Sequence, residues 1–289
     1  MDALSADGKH SLTLIGFVGS VFSPYYRLAG RKRPEDHVSI NVALTGPAGK
    51  RWTMTERRRD ALHRDAGTLL VGPSAMRWDG TGLTVSIDEI SPLIPRRVKG
   101  TIRLYPEAVV NHPVALDADQ RHCWWPIAPC ARVEVELDHP ALSWSGSGYF
   151  DFNTGEVPLE ESFHRWNWCR ASVPEGTVVL YDLLDRDDQS CSLAIRFDPK
   201  TGVADFEAPP PARLKKSFWG MRRSTRAERG VEAKVLETLE DSPFYTRSVV
   251  GTRLLGRDVT AIHESVDLDR FANPLVQMML PYRMPRRFV

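Results

Sequence analysis

Short segments in which apolar and polar residues alternate follow one another along most of the chain. In HVSINVALTG (37–46) every second residue is apolar, and KRWTMTER (50–57) follows after a turn at PAG. A period of two is typical of strands that bury one face, and a short turn between two such segments predicts a hairpin. The same pattern predicts strands over 68–90 with a turn at Asp79–Gly80, 96–106, 131–152, 176–185, 190–208 with a turn at DPKTG, and 246–268 with a turn at Gly256–Arg257.

Helix signals are few. Residues 226–241 fit a helix or a strand about equally well, so both interpretations stay open. Residues 267–280 predict a short helix that begins at Asp267 or Asp269. Pro274 interrupts that helix, because proline has no N–H for the hydrogen bond of a helix interior.

Strands at this regular spacing predict an all-β fold of sandwiches or barrels with few short helices. A length of 289 residues fits one large all-β domain or two smaller ones. The segment 106–121 is rich in Pro, Asp and Asn and is the best place for a joint. We therefore predict an N-terminal β domain over 1–115 and a C-terminal β domain over 116–289 that carries the chemistry.

The charge of the chain is balanced, with 38 Lys and Arg against 37 Asp and Glu, which gives no global reason to expect a nucleic-acid partner. Basic residues nevertheless concentrate in 213–229 and in the tail RMPRRFV (283–289), close to Phe218, Trp219 and Phe288. Such mixtures of basic and large apolar side chains bind anionic membrane surfaces. A solvated arginine-rich surface explains the pattern equally well.

The four cysteines, Cys123, Cys130, Cys169 and Cys191, form no CxxC pair and match no zinc spacing. They predict a reducing compartment and ordinary buried thiols. No apolar run approaches the ~20 residues that cross a bilayer. The N-terminus MDALSADGKH lacks the basic region of a secretory signal, so no signal peptide is expected.

The segment RHCWWPIAPC (121–130) places an imidazole beside two indoles. Pro126 disfavours a helical conformation of the residue before it, so the segment is predicted to be extended. His122 and Trp124 then point to the same side of the strand. A tryptophan-rich segment of this kind is also typical of a protein core, and His122 also fits a hydrogen-bonded core histidine.

In SGYFDFNTG (147–155) an extended backbone likewise places Tyr149 and Asp151 on one side. Only about one hairpin separates this segment from His122 and Trp124, so pairing would bring the four side chains together. A carboxyl group among aromatic rings loses hydration and its pKa rises, the ring faces stabilise a cation, and an imidazole accepts a proton from water. Together these groups suit protonation of an alkene and capture of the carbocation by water. Alternatively, Asp151 caps the loop NTGE.

Other constellations are less informative. ESFHRWNW (161–168) repeats the His-x-Trp spacing at His164 and Trp166, and spacing alone does not choose between the two pairs. The titratable residues of TERRRDALHRD (55–65) fit a charged turn between strands. GPSAMRW lacks the glycines of a nucleophile elbow, and the chain contains neither GxGxxG nor a Walker A sequence. Nothing therefore indicates a nicotinamide, flavin, ATP or metal cofactor.

Seven segments are long and unusual enough to carry a resemblance: GFVGSVFSPYY (16–26), HVSINVAL (37–44), WTMTER (52–57), RHCWWPIAP (121–129), SGSGYFDFNTGEVPLEESFHRWNW (145–168), LEDSPFYTRS (239–248) and MLPYRMPR (279–286). They resemble the acyclic carotenoid 1,2-hydratases of purple phototrophic bacteria, also called hydroxyneurosporene synthases. The likeness runs from about residue 14 to residue 287.

That resemblance implies an enzyme that adds water, without a cofactor, across the terminal C1=C2 bond of an acyclic carotene such as neurosporene or lycopene. The product is a tertiary 1-hydroxy carotenoid on the way to spheroidene or spirilloxanthin. The implied fold is lipocalin-like, with two β-barrel or sandwich units.

The family's functional residues follow the pattern His-x-Trp, 24 residues, Tyr-x-Asp, which His122, Trp124, Tyr149 and Asp151 match. This match selects His122 over His164. In the reaction that the resemblance implies, Asp151 protonates C2, Trp124 and Tyr149 line the cation at C1, and His122 or Tyr149 activates the water.

The implied substrate is a long polyene that is nearly insoluble in water, so we expect a site that opens at a membrane surface. The basic stretch 213–229 and the C-terminal arginines are expected to dock peripherally on the cytoplasmic side of the bacterial inner, photosynthetic membrane. The alternative function is a lipocalin-like carrier of carotenoid or lipid without chemistry. Such a carrier gains nothing from an acid in an apolar pocket. A related lyase or isomerase acting on another terpenoid is a third possibility, and the sequence leaves the oligomeric state open.

Overall fold

A computed structural model describes residues 1–287, and strands form most of its regular structure. The first twelve strands belong to one sheet, in the order β4-β3-β2-β1-β12-β11-β9-β8-β7-β6-β5, with β10 paired to β11. Their bounds are β1 (Asp2–Ser5), β2 (Ser11–Val18), β3 (Val38–Thr45), β4 (Arg51–Met54), β5 (Leu62–Arg64), β6 (Thr68–Val71), β7 (Ser74–Trp78), β8 (Leu83–Ile90), β9 (Arg97–Pro106), β10 (Val114–Ala115), β11 (His122–His139) and β12 (Leu142–Gly155).

The later strands form a seven-stranded sheet, in the order β16-β15-β14-β13-β21-β20-β19, and a β17–β18 hairpin. Their bounds are β13 (Phe163–Val173), β14 (Gly176–Asp185), β15 (Ser190–Asp198), β16 (Gly202–Asp205), β17 (Pro211–Leu214), β18 (Arg223–Arg226), β19 (Lys234–Asp241), β20 (Tyr245–Leu254) and β21 (Arg257–Asp267). The α-helices are short: α1 (Pro24–Leu28), α2 (Leu159–Ser162), α3 (Leu268–Ala272) and α4 (Pro274–Arg283). The prediction of an all-β fold with few short helices is confirmed.

Contacts divide the described chain into two compact units, and neither is continuous in sequence. Unit 1 comprises residues 1–109, 131–150 and those from 277 onward, and unit 2 comprises residues 110–130 and 151–276. The domain boundary predicted after residue 115 stays a prediction.

The hairpin predicted from HVSINVALTG and KRWTMTER forms in unit 1 as β3 and β4, with Asn41 opposite Met54. Val38, Ile40 and Val42 are fully buried, as their alternation predicts. The polar residues of β3 are buried as well, so both faces of this strand are covered. Asn41 compensates for its burial by donating its side-chain amide to the Thr53 carbonyl at 2.9 Å.

The predicted charged turn over 55–65 contains charged residues that lie in the interior of unit 1, and Glu56 is one of them. Glu56 is 1% exposed, and its Oε1 lies 2.8 Å from His37 Nδ1 and forms an ion pair with Arg286. Arg286 also donates to the Asp36 carbonyl at 2.9 Å. A solvated turn is therefore the wrong explanation for Glu56, since a buried carboxylate is stable only with such partners.

The two uncertain segments of unit 2 are resolved by the structure. Residues 226–241 contain the end of β18 and all of β19, which confirms the strand interpretation. The Asp267 side chain caps α3 by accepting from the Arg270 N–H at 3.0 Å. The second helix, α4, begins at Pro274, so the predicted helix start and its interruption are confirmed.

All four cysteines are free thiols. Cys130 and Cys169 are buried, but Cys191 is exposed, so the prediction of buried thiols is wrong for Cys191. Burial raises the pKa of the Cys169 thiol to about 11. Of the helices within residues 1–287, none has the length and apolar character needed to cross a bilayer.

A buried histidine in β21 predicts that acid weakens the fold. His263 is fully buried, its Nε2–H donates to the Ser224 carbonyl at 2.8 Å, and burial lowers its pKa from 6.5 to about 4. Between about pH 6.5 and pH 4, His263 therefore binds a proton in the unfolded chain but not in the folded chain. We expect this contribution to be complete above about pH 6.5 and to fall by about 3 kcal/mol as the pH approaches 4.

Urea unfolding at pH 7, 6 and 5 measures this loss. The variant His263→Gln keeps a donor for Ser224 but does not titrate, so its stability should depend less on pH. An equal pH dependence in both proteins would show that His263 is not the responsible group.

Candidate active site

Trp124 and Asp151 meet in a direct hydrogen bond in unit 2. Trp124 is 1% exposed, and its indole N–H donates to Asp151 Oδ2 at 3.0 Å. Asp151 is half-buried in β12. Because an indole N–H can only donate, Oδ2 is fixed as an acceptor, and a proton carried by this carboxyl group belongs on Oδ1.

The start of β11 has the alternation that its sequence predicts. His122, Trp124 and Pro126 are buried, whereas Trp125 is 36% exposed on the other side. The Trp125 indole N–H donates to the Val110 carbonyl at 3.1 Å. The two neighbouring indoles therefore differ in role, and Trp124 is the one that reaches Asp151.

One face of the seven-stranded sheet presents aromatic rings to Trp124, and we call it the aromatic face. Tyr181 of β14 stacks on Trp124 with ring centroids 5.7 Å apart and planes at 8°. Phe197 of β15 meets the same indole edge-on at 6.4 Å, and Trp166 of β13 stacks on Tyr181 at 6.4 Å. Such a wall of rings excludes water and presents negative ring faces to a developing cation.

Tyr181 is buried and lies within electrostatic reach of two carboxyl groups. Burial raises the pKa of its phenol, and the negative charges of Asp151 and Glu264 raise that pKa further. Tyr181 therefore stays a neutral hydroxyl at physiological pH. Because the charges of Asp151 and Glu264 both act on this phenol, the two carboxyl groups lie in the surroundings of the Tyr181 ring.

His122 is placed on the same side of β11 as Trp124, but both of its nitrogens face protein. Nε2 lies 3.0 Å from Ser162 Oγ, and the ring packs against Phe163 at 5.0 Å. Nδ1 is buried without a hydrogen-bond partner among residues 1–287, and a Cβ on Gly155 would lie 2.7 Å from it. Burial lowers the pKa of His122, so the imidazole is neutral near pH 7.

Tyr149 lies two residues before Asp151 on β12 and is fully buried. It belongs to unit 1, where its backbone pairs with Asp2 of β1. The hydrogen bond from Trp124 to Asp151 joins two of the four predicted residues directly. The roles of His122 and Tyr149 stay predictions.

The rival pair, His164 and Trp166, separates in the structure. His164 Nδ1 lies 3.0 Å from Asp269 and 2.8 Å from Arg186, and its side chain is 28% exposed in this ion-pair cluster. Trp166 instead belongs to the aromatic face. His164 is therefore explained by a surface ion pair.

Sequence reasoning missed a row of side chains across the aromatic face. The cross-strand partners Tyr181, Trp168, Glu264 and Arg247 lie on β14, β13, β21 and β20. Residues directly opposite each other in antiparallel strands point to the same face. The available signal was Arg247 itself, an arginine within a predicted strand, because such a guanidinium requires an acidic partner when it is buried.

The arrangement can deliver a proton into surroundings that contain little water. Asp151 has one oxygen fixed by an indole, and the neighbouring rings offer no competing base. Among residues 1–287, no group of three or more His, Cys, Asp or Glu side chains is arranged to hold a metal ion.

Comparison with known proteins gives one consistent family. A family model described as carotenoid hydratase CrtC matches residues 14–289. The acyclic carotenoid 1,2-hydratase of Thiocapsa roseopersicina is 54% identical over 290 residues, which cover 99% of this chain and 72% of that protein. The enzyme of the same name from Rubrivivax gelatinosus is 48% identical over 293 residues, with the same coverage of both chains.

A solved structure supports the fold alone. The crystal structure of a protein assigned as AttH from Nitrosomonas europaea matches with a TM-score of 0.61. The match covers 92% of this chain and 89% of that one at 12% sequence identity. Two proteins this different in sequence share an architecture, and the chemistry must be argued from the site.

Proposed function

This chain belongs to the carotenoid hydratase family CrtC, and we propose that it adds water across the terminal C1=C2 bond of an acyclic carotene. The product is a tertiary 1-hydroxy carotenoid, so the enzyme is a hydro-lyase. The observation that carries the proposal is the hydrogen bond from Trp124 to Asp151 beside the aromatic face. It places an oriented carboxyl group next to rings that stabilise positive charge.

The reaction begins with protonation by Asp151. The Oδ1 proton moves to C2, the π electrons form the new C–H bond, and positive charge develops at C1, which carries two methyl groups. The position of Asp151 beside Trp124 and the aromatic face suits this role. The oxygen of a water molecule then bonds to C1, and the water loses a proton. No electrons are transferred, so the step balances without a redox cofactor.

We assign Trp124 and Tyr181 to stabilising the cation, because both rings lie beside the acid and each keeps the face that their stack does not cover. Tyr149 remains assigned to the same task by its match to the family motif. For the water, the resemblance leaves His122 and Tyr149 as alternatives. Because both nitrogens of His122 face protein, we assign this residue a positioning role through Ser162.

Incubation of the purified protein with lycopene or neurosporene in liposomes, without added cofactor, tests the proposed function. The C1=C2 bond is not conjugated with the polyene, so mass and chromatographic polarity are the readouts rather than colour. A product heavier by one water supports hydration. Unchanged carotene that co-purifies with the protein would instead support the carrier.

We further propose that the protein docks on an anionic membrane surface through the tip of the β17–β18 hairpin, residues 215–222. Phe218 is 92% exposed and Trp219 is 43% exposed, and their rings form an edge-to-face pair at 6.1 Å. Lys215, Lys216 and Arg222 are exposed around them. Aromatic side chains ringed by basic ones match the interface of an anionic bilayer.

The hairpin tip is held in place by hydrogen bonds from neighbouring segments. The Phe218 N–H donates to Asp241 Oδ2 at 2.7 Å, and Arg270 donates to the Trp219 carbonyl at 3.0 Å. These hydrogen bonds hold the backbone of the exposed tip in place. They support insertion into a membrane, because binding then costs little conformational entropy.

Several arginines that were expected to bind the membrane instead form hydrogen bonds or ion pairs within the protein. Arg223 is buried and donates to Ser248 Oγ at 2.8 Å, and Arg226 forms an ion pair with Asp182 at 2.7 Å. Arg286 is paired with Glu56 in unit 1. Phe288, also expected to dock, lies outside the described residues. The cytoplasmic side of the membrane stays a prediction.

Replacing Phe218 and Trp219 with serine is expected to weaken binding to liposomes that contain phosphatidylglycerol by at least about tenfold, or about 1.4 kcal/mol, since both rings leave the interface. Flotation against lipid concentration measures the affinity, and wild-type binding should also fall with salt. Leu236→Ser is the matched control, an exposed apolar residue in the same unit. Unchanged flotation of the double variant would rule out docking through this tip.

A further inference from the structure

We infer that Glu264 is the second carboxyl group of the site and takes the proton released by the water that adds to C1. The assignment rests on the proposed hydration and goes beyond the four residues of the family motif. Hydration requires a proton acceptor as well as a proton donor. The imidazole nitrogens of His122 face Ser162 and Gly155, so an acceptor on the aromatic face completes the chemistry.

The register of the seven-stranded sheet places Glu264 on the aromatic face. Trp168 lies opposite Tyr181 on one side and opposite Glu264 on the other. All three side chains therefore point to the face on which Tyr181 stacks with Trp124. Tyr181 and Glu264 are two strand spacings apart, roughly 10 Å, with Trp168 between them in the row.

Glu264 has the partner that an acceptor needs. Arg247 lies opposite it on β20 and forms an ion pair with it through Nη1. The Arg247 side chain is 3% exposed, whereas the Glu264 side chain is 22% exposed. A buried guanidinium favours the ionised form of its carboxylate partner, and the remaining exposure of Glu264 gives water access to it.

The two carboxyl groups thus have different surroundings on the same face. Asp151 accepts from an indole among aromatic rings, whereas Glu264 is held beside a cation. Different surroundings of this kind allow one carboxyl group to act as an acid and the other as a base at the same pH. The negative charges of both groups raise the pKa of Tyr181, in addition to the larger effect of burial, which supports their common neighbourhood.

The proton balance closes with these two groups. Asp151 gives a proton to C2, the water oxygen bonds to C1, and Glu264 receives the proton that the water loses. After product release Asp151 is ionised and Glu264 is protonated. Both groups are partly exposed, so exchange with solvent restores the starting state.

The test uses the double variant Arg247→Gln, Glu264→Gln, because Glu264→Gln alone would leave a buried guanidinium without its carboxylate. We expect kcat to fall by at least about 100-fold, the scale of lost general base catalysis, with little change in KM or in the unfolding midpoint. The matched control is Arg226→Gln, Asp182→Asn, which removes a partly buried ion pair of the same unit. This control should keep near wild-type turnover.

A conservative variant separates a base from a structural ion pair. Glu264→Asp should recover part of the turnover, because it keeps a carboxylate beside Arg247.

The results of these experiments distinguish a failure of the proposed hydration from a failure of the role of Glu264. Wild-type protein without product would contradict the hydration itself. If wild type is active, retained turnover of the Arg247→Gln, Glu264→Gln protein would overturn the role of Glu264 alone. An equal loss in the control pair, or no recovery of turnover in Glu264→Asp, would also overturn it.

Discussion

Replacing Asp151 with asparagine is expected to reduce hydration by at least about 1,000-fold while the fold persists. General acid catalysis contributes between about 100- and 10,000-fold, and the Trp124 indole N–H orients Asp151 beside the aromatic face. Asparagine has nearly the shape of aspartate, and its carbonyl oxygen can still accept from Trp124. The substitution therefore removes the proton that Asp151 transfers, while the shape of the side chain and its hydrogen bond with Trp124 are kept.

Turnover by mass spectrometry and the thermal unfolding midpoint measure the two sides of this prediction. Glu161→Gln is the control, since it removes an exposed carboxylate of the same unit. If Asp151→Asn kept most of the wild-type rate, Asp151 would not be the acid. A matching loss of the unfolding transition would make the effect structural.

The second large effect is expected at Trp124. Trp124→Ala removes the ring that stacks on Tyr181 and the N–H that orients Asp151, and it opens a cavity at a residue that is 1% exposed. We expect a stability loss of about 3–5 kcal/mol and a nearly inactive enzyme. Trp124→Phe keeps a ring face for the cation and loses the N–H, so its loss of turnover should be far milder, about tenfold.

Trp125→Phe is the matched control for the indole N–H. It removes an indole hydrogen bond from the neighbouring residue of β11, on the opposite side of the strand. Its turnover should stay near that of wild type. Equal losses in Trp124→Phe and Trp124→Ala, measured at a temperature where both are folded, would argue against a ring that stabilises the cation.

The sequence predicted the Trp124–Asp151 contact because period-two alternation constrains direction. His-x-Trp and Tyr-x-Asp each point two side chains to one side of a strand, and Pro126 favoured an extended backbone there. Alternation says less about neighbours beyond the strand. It did not indicate that the nitrogens of His122 would face Ser162 and Gly155.

The Arg247–Glu264 pair was missed through an error of one residue in a turn. A turn at Gly256–Arg257 would place Arg247 opposite Val266, an apolar residue that cannot form an ion pair with it. The strands actually meet with Leu254 opposite Arg257, and Arg247 then faces Glu264. In a hairpin the turn sets the register of every pair, so a small error in the turn changes all the partners.

The burial of Glu56 could not be predicted for a different reason. Its partner Arg286 lies 230 residues further along the chain, and only the fold brings the two together. A local pattern of charges in TERRRDALHRD is consistent with a solvated turn or a buried ion pair. Long-range pairing decides between them, and sequence periodicity carries no information about it.

Incubation of the purified protein with lycopene or neurosporene in H₂¹⁸O, without added cofactor, tests the central claim most directly. We expect a hydroxylated carotene in which the new oxygen is the heavy isotope, and we expect Asp151→Asn to form very little of this labelled product. Unlabelled product would mean that the oxygen does not come from water. Carotene that stays unchanged while bound to the protein would contradict hydration and indicate a carrier.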